Sequence, residues 1–124
     1  MNTPFKITGS LKIIKDDECF IDAKRVRLLE LIKEQGSINT ASKIMKMSYQ
    51  QAWHFIKQMN NLSPLPVITK HRGGANGGGA IVTKYGERLI TEFRQVEELH
   101  LKFKNELNNN LWLCSFNHQS FHEK

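Results

Sequence analysis

The chain has 124 residues, of which 40% are hydrophobic and 24% are charged, and its formal net charge is +6 at pH 7. These values are those of one ordinary globular domain, and they exclude a disordered or fibrous chain. The two cysteines, Cys19 and Cys114, are too far apart for a C-x-x-C motif, and no segment approaches the roughly 20 apolar residues of a membrane span. We therefore expect a cytoplasmic protein with free thiols and no membrane partner.

The first elements predicted are a β-hairpin and a helix. Residues 5–14 are rich in β-branched side chains and are followed by an acidic turn and a second apolar run, which predicts paired strands within residues 1–22. From residue 23 the apolar spacing becomes helical, and Gly36 is typical of the position after a helix end. A first helix is therefore predicted over residues 23–35.

Two further helices are predicted next. Either Ser37 or Asn39 can cap a second helix that ends near Met47, and Ser48 can cap a third that runs to about Asn61. The third helix carries a buried apolar stripe at helical spacing. Its members are Ala52, Phe55, Ile56, Met59 and Leu62.

A second hairpin is predicted after the third helix. Pro64 and Pro66 stop helical structure, because proline lacks an amide donor and restricts the residue before it. The segments 67–70 and 80–83 are strand-like, and the stretch between them is rich in glycine. This pattern predicts a hairpin whose flexible tip, residues 71–80, forms a wing.

A long helix is predicted over residues 84–108, with Thr83 as its cap. Its apolar residues follow heptad spacing over fewer than three or four heptads, which favours a packed dimer interface over a free coiled coil. The residues assigned to the interface are Leu89, Phe93, Val96, His100, Phe103 and Leu107. Residues 109–124 are expected to form a short docking segment with a frayed end.

The order of these elements predicts a mainly α fold with a small β component, a winged helix-turn-helix over residues 23–83, within one structural domain. No carboxylate side chain occurs between Glu34 and Glu87, and this stretch holds six basic residues. Outside it, twelve basic and twelve acidic residues balance, so the net positive charge lies in the stretch with the third helix and the wing. A one-sided charge of this kind is typical of a surface that binds a polyanion.

The third helix is predicted to read bases, because the second helix of a helix-turn-helix motif enters the major groove. Gln50, His54 and Lys57 lie about one turn apart on one face, and glutamine suits adenine whereas lysine suits guanine or phosphate. The glycines of the wing allow Arg72 to approach a phosphate or the minor groove. The residues predicted to contact double-stranded DNA are Lys43, Ser48, Tyr49, Gln50, Gln51, His54, Lys57, Arg72, Gly73, Gly74 and Asn76.

Several motifs carry a family resemblance. They are Gly36-Ser-Ile, Met47-Ser-Tyr-Gln-Gln-Ala-Trp53, Met59-Asn60, the Gly-rich segment from Arg72 to Ala80, and Thr83-Lys-Tyr-Gly-Glu-Arg-Leu89. Together they resemble the amino-terminal domain of ModE, the molybdate-responsive transcriptional regulators, over residues 5–99, and more loosely the LysR-type helix-turn-helix. The resemblance implies a homodimeric, sequence-specific bacterial DNA-binding protein that regulates transcription.

Two departures from the ModE pattern are evident. Lys46 stands where the turn of that family usually has glycine, so a less favoured backbone conformation is expected there. ModE proper continues into molybdate-binding domains, whereas this chain stops soon after the long helix. We therefore expect DNA binding without molybdate binding.

A second function also fits these residues. A protein-interaction module that keeps the winged fold and binds an acidic partner is the second hypothesis. A nucleotide-binding enzyme is disfavoured because both the G-x-G-x-x-G and the P-loop patterns are missing, and no nucleophile has an assignable base. We therefore predict no enzymatic activity and no cofactor.

Some individual side chains keep two interpretations. Tyr49 and Trp53 are either partly buried supports of the third helix or contacts to a sugar or a thymine methyl. Cys114, His118 and His122 are spaced by four residues, as metal ligands on a helix would be, but weak helix signals favour an ordinary tail, so no metal is predicted. His100 is either a hydrogen-bonded interface residue or a group that makes dimerisation pH-sensitive.

Overall fold

A computed structural model describes residues 5–71 and 79–115. These residues group into two compact units, one of residues 12–94 and one of residues 5–11 together with 95–115. The elements are β1 (Lys12–Lys15), β2 (Glu18–Asp22), α1 (Ala23–Gln35), α2 (Ile38–Ile44), α3 (Tyr49–Leu62), β3 (Ile68–Lys70), β4 (Ala80–Val82), α4 (Lys84–Asn110) and α5 (Trp112–Ser115).

Strands β1 and β2 form the predicted antiparallel hairpin, but it begins at Lys12 and not at residue 5. Asp16 and Asp17 form its turn with φ angles of 52° and 62°. Positive φ at both central residues is the geometry of the turn that matches the right-handed twist of paired strands. Strand β2 then contributes Phe20 and Ile21 to the core of the larger unit.

Helices α1 and α3 follow the predicted boundaries closely because their ends are set by local contacts, whereas α2 ends at Ile44, before the predicted end near Met47. Gly36 ends α1 in the left-handed conformation, with φ 66°, and its N–H donates to the Ile32 carbonyl at 2.8 Å. Of the two residues predicted as caps of α2, the structure uses Ser37, whose hydroxyl accepts the Thr40 N–H at 3.1 Å. Ser48 caps α3 as predicted.

The second hairpin pairs β3 with β4 in antiparallel register and leads directly into α4. The hydroxyl of Thr83 accepts the Gly86 N–H at 3.0 Å and donates to the Pro66 carbonyl at 2.6 Å. A Cβ on Gly86 would lie 2.5 Å from the Val67 carbonyl oxygen, so only glycine fits at this close approach. The residues at the tip, 72–78, lie outside the described part of the chain.

The core of the larger unit is formed by α1, α2, α3, β2, the second hairpin and the first turns of α4. Phe93 of α4 is 1% exposed and is among its largest fully buried side chains. Its assignment to the dimer interface is therefore not consistent with the structure, because the protomer's own core covers the ring. Heptad spacing places Phe93 on the apolar side of α4, but it does not show which neighbour covers the ring.

The smaller unit contains an extended N-terminal segment packed on the C-terminal half of α4. The side-chain amide of Asn108 accepts the Ile7 N–H at 2.8 Å and donates to the Ile7 carbonyl at 3.2 Å. The Nζ atom of Lys104 donates to the Gly9 carbonyl at 3.1 Å. In residues 5–11 and 95–114 Cys114 alone is buried, so this unit has almost no core of its own.

Across the helices of the described residues, none combines the length and the apolar character needed to cross a membrane. The architecture is mainly α, with two small hairpins, and it is that of a winged helix.

Candidate nucleic-acid interface

Helix α3 separates a buried face from an exposed polar face. Its apolar stripe is buried as the sequence predicts: Ala52, Phe55, Ile56, Met59 and Leu62. The opposite face exposes Gln50, His54 and Lys57. Four further residues of the predicted DNA-contact set are also exposed: Lys43, Ser48, Tyr49 and Gln51. The described members of the set are therefore all accessible on α2 and α3.

The turn between α2 and α3 is closed by a residue in a strained conformation. Lys46 has a φ of 57°, which confirms the conformation expected from its place in the turn. Its N–H donates to the Lys43 carbonyl at 3.1 Å, and the N–H of Met47 donates to the Ser42 carbonyl at 3.0 Å. These two hydrogen bonds form a Schellman motif, in which glycine is the preferred residue at the left-handed position.

The wing strand β3 is fastened to α3 by one side chain. The Oδ1 atom of Asn60 accepts the N–H of Val67 at 2.7 Å and that of Ile68 at 3.3 Å, and its Nδ2 atom donates to the Ile68 carbonyl at 3.1 Å. Asn60 thus holds the entry of the wing against the helix that carries the exposed polar face.

The structure adds Lys70 to the residues of this surface, which the predicted contact set omits. Lys70 is exposed at the end of β3, and its Nζ atom lies 4.3 Å from the centre of the Trp53 ring. In the sequence, the signal for Lys70 is its position in the carboxylate-free stretch, shortly before the Gly-rich tip. Charge alone did not indicate that the strand brings it beside α3.

An acidic residue approaches this surface in space although none is near it in sequence. An open cleft of about 300 Å³ lies beside the C-terminal half of α3. Its lining residues are Glu18, His54, Lys57, Gln58, Asn61 and Leu62. The carboxylate-free character predicted for the surface therefore does not hold at this end, because the first hairpin carries Glu18 there.

Gln58 lies on the polar side of α3, but its side chain is engaged in a contact within the protein. Its Oε1 atom accepts a hydrogen bond of 2.8 Å from the Nη2 atom of Arg25. The guanidinium of Arg25 also lies 4.3 Å from the centre of the Phe55 ring and pairs with Asp22 at 2.9 Å. Gln58 therefore belongs to the contact between α1 and α3.

The cysteines show no sign of a reactive site. Both are free, and Cys114 is buried. Burial raises the pKa of the Cys19 thiol above its usual value, although the nearby Arg25 acts in the opposite direction. A raised pKa keeps the sulfur as the neutral thiol, which is the unreactive form.

Some predicted residues lie outside the described part of the chain. They are Arg72, Gly73, Gly74 and Asn76 in the wing, and His118 and His122 in the tail. Among residues 5–71 and 79–115, no group of three His, Cys, Asp or Glu side chains is arranged to hold a metal ion.

The exposed apolar side of α4 differs in part from the predicted dimer interface. Val96 and Phe103 are 44% and 56% exposed, whereas Leu89, His100 and Leu107 are half-buried. Leu99 is 66% exposed and was not assigned to the interface. The signal that identifies it is its spacing, three residues after Val96 and four before Phe103, which places all three on one helix face.

The fold and this surface define a winged helix protein with an exposed polar face on its third helix. No protein-family model matches the chain. Among curated proteins, it is 49% identical over 78 residues to "Transcriptional regulator ModE" of Haemophilus influenzae, a match that covers 63% of this chain and 31% of that protein. It is 39% identical over 83 residues to "DNA-binding transcriptional dual regulator ModE" of Escherichia coli K12, covering 67% of this chain and 32% of the relative.

A third relative is "Molybdenum transport protein ModE" of Azotobacter vinelandii, 47% identical over 73 residues, with coverage of 59% of this chain and 27% of that protein. The chain is therefore homologous to the ModE transcriptional regulators, which confirms the resemblance inferred from its motifs. It spans about a third or less of the length of these relatives.

Proposed function

We propose that this chain is a sequence-specific regulator of transcription that binds double-stranded DNA through α3 and the wing. The observation that carries the proposal is the exposed polar face of α3 beside the wing strand. Gln50, His54 and Lys57 project from this face, and the opposite face is fully used by the core. In the proposed complex, α3 lies in the major groove and residues 71–80 contact the backbone or the minor groove.

The charge of the surface supports this function. The stretch from α2 to the start of α4 holds all of the net positive charge of the chain. Positive charge placed on one side attracts the phosphate backbone and directs association. The names of two of the relatives are consistent with it, since one is described as a transcriptional regulator and the other as a DNA-binding transcriptional dual regulator.

We further propose that the protein binds DNA as a homodimer through the exposed apolar residues of α4. Val96, Leu99 and Phe103 form a large apolar face on a unit that buries almost nothing by itself. A second copy of the same helix would remove this face from water, which is the main favourable term in association. The two copies of α3 would then read half-sites about one helical turn, roughly 34 Å, apart.

The assignment of base readout to α3 is tested by comparing a selected site with random DNA. A site obtained from a random duplex library should be bound less tightly by Gln50→Ala, with a loss of roughly 1–3 kcal/mol, while binding to random duplexes changes little. Arg72→Ala should weaken both alike, because a phosphate contact carries no sequence information.

Gln35→Ala is the matched control, since Gln35 is an exposed glutamine at the end of α1 and is not among the predicted DNA contacts. It should leave both affinities unchanged. Equal losses on selected and random DNA for Gln50→Ala would show that this residue does not read bases.

A further inference from the structure

Trp53 is a half-buried residue of α3 whose indole ring has two lysines beside it. The Nζ atom of Lys70, from β3, lies 4.3 Å from the ring centre, and the Nζ atom of Lys57, one turn further along α3, lies 6.0 Å from it. The ring of Tyr49 packs edge-on against the same indole, with centroids 6.4 Å apart and planes at 86°. The indole therefore lies next to side chains from the first turn of α3, from the turn after Trp53 and from the wing strand.

This arrangement restrains two cations without neutralising them. The negative face of an indole attracts an ammonium group within about 6 Å of its centre. That attraction limits the rotamers of a lysine side chain, which is otherwise among the most mobile in a protein. In the described ranges, neither Lys57 nor Lys70 forms an ion pair with a carboxylate. Within these ranges, both ammonium groups can therefore pair with an anion from outside the chain.

We propose that Trp53 is a positioning residue, which holds Lys70 as a phosphate contact between α3 and β3. The inference rests on the DNA-binding function proposed above and adds to it a phosphate contact, Lys70, with the side chain that places it. The indole itself needs no contact with DNA. The indole fixes the position of the Lys70 ammonium group, on the wing strand, relative to the helix that carries Gln50.

The salt dependence of DNA binding measures this contact directly. Each phosphate neutralised adds about 0.9 to the slope of log affinity against log salt concentration. Lys70→Met should reduce the slope measured with a random duplex by about one phosphate contact, so that the variant loses about 3.5-fold less affinity than the wild type between 50 and 200 mM salt. Trp53→Leu should reduce the slope by a similar amount, although it removes no charge.

The double variant separates positioning from a direct contact. If Trp53 acts through Lys70, then Trp53→Leu with Lys70→Met should bind as Lys70→Met alone does, and Trp53→Phe should restore most of the slope because phenylalanine also attracts a cation. Losses in affinity that multiply in the double variant would contradict the proposal, since they indicate that the indole and the lysine contact DNA independently. A weaker Trp53→Leu variant with an unchanged slope would also contradict it.

Two controls keep this test distinct from loss of the fold and from loss of the proposed function. Lys12→Met removes an exposed lysine of β1 and should leave the slope unchanged. Urea denaturation should show that Trp53→Leu is folded under the assay conditions. A wild-type protein that binds no DNA would overturn the proposed function and this inference together, whereas wild-type binding with an unaltered slope in both single variants would overturn this inference alone.

Discussion

Asn60 of α3 accepts the main-chain N–H of Val67 at 2.7 Å, so that a single side chain joins the helix with the exposed polar face to the start of the wing. Val67 is completely buried, so without Asn60 its N–H would lack a hydrogen-bond partner away from water. Loss of a buried partner costs about 1–3 kcal/mol. Asn60→Ala should therefore lower the free energy of unfolding by about 2 kcal/mol or more, measured by urea denaturation, because three hydrogen bonds are lost.

Asn61→Ala is the matched control for Asn60→Ala. Asn61 has the same side chain in the same turn of helix but is exposed. Its replacement should change the free energy of unfolding by less than about 0.5 kcal/mol. Equal effects of the two substitutions would show that the contact between Asn60 and the wing does not stabilise the fold.

Lys46→Gly should stabilise the protein. A residue with a Cβ in the left-handed conformation costs about 1–2 kcal/mol, and glycine removes this cost but loses some of the gain by increasing the entropy of the unfolded chain. The expected net increase in the free energy of unfolding is about 0.5–1 kcal/mol. Lys46→Ala removes the same charge and keeps the Cβ, so it should give no such increase. A stabilisation by alanine equal to that by glycine would contradict backbone strain as the cause.

The ion pair between Glu30 and Arg94 should make stability depend on pH. The Nη2 atom of Arg94 donates to the Glu30 carboxylate at 2.6 Å, and this hydrogen bond holds the pKa of Glu30 below its ordinary value of 4.5. A lowered pKa means that the unfolded chain takes up a proton at higher pH than the folded one. The contribution of the pair is therefore present at neutral pH and lost as the pH falls through and below 4.5.

Arg94→Met should accordingly lower the free energy of unfolding at pH 7 by about 1 kcal/mol, a value limited by solvent screening because the pair is only partly buried. The difference from the wild type should shrink as the pH falls below about 4.5. Arg88→Met disrupts the more exposed pair with Glu92, and its effect at pH 7 should stay below about 0.5 kcal/mol. A difference for Arg94→Met that is independent of pH would rule out the carboxylate as its origin.

The apolar face of α4 should control the oligomeric state. Replacement of both Leu99 and Phe103 by glutamate places two charges on the proposed interface and should produce monomers in sedimentation velocity experiments at concentrations where the wild type is a dimer. Leu65→Glu, at an exposed loop position of the larger unit, is the control and should leave the dimer intact. An unchanged sedimentation profile in the double variant would place the interface elsewhere.

The sequence predicted those parts of the fold that depend on local interactions. Helix α1 has the predicted bounds, and the caps at Ser48 and Thr83 form as expected, because each cap is a contact between residues three positions apart. The glycine that ModE proteins usually have at this turn also identified the left-handed conformation of Lys46.

Contacts between distant segments were not predictable in the same way. Phe93 fits a heptad, but periodicity does not distinguish burial in the protomer from burial against a second copy. Glu18 lies outside the carboxylate-free stretch in sequence, and only the fold of the first hairpin brings it beside His54. The proximity of Lys70 and Trp53 likewise depends on how β3 packs along α3.

Binding of a random duplex DNA, measured by fluorescence anisotropy at about 50 mM salt and repeated at increasing salt concentrations, is the measurement that bears most directly on the proposed function. We expect a dissociation constant of about 10⁻⁴ M or lower at about 50 mM salt and a steep linear loss of log affinity with log salt concentration, because several phosphates are neutralised. An affinity no better than about millimolar, or an affinity insensitive to salt, would show that the exposed face of α3 and the wing do not form a DNA-binding surface.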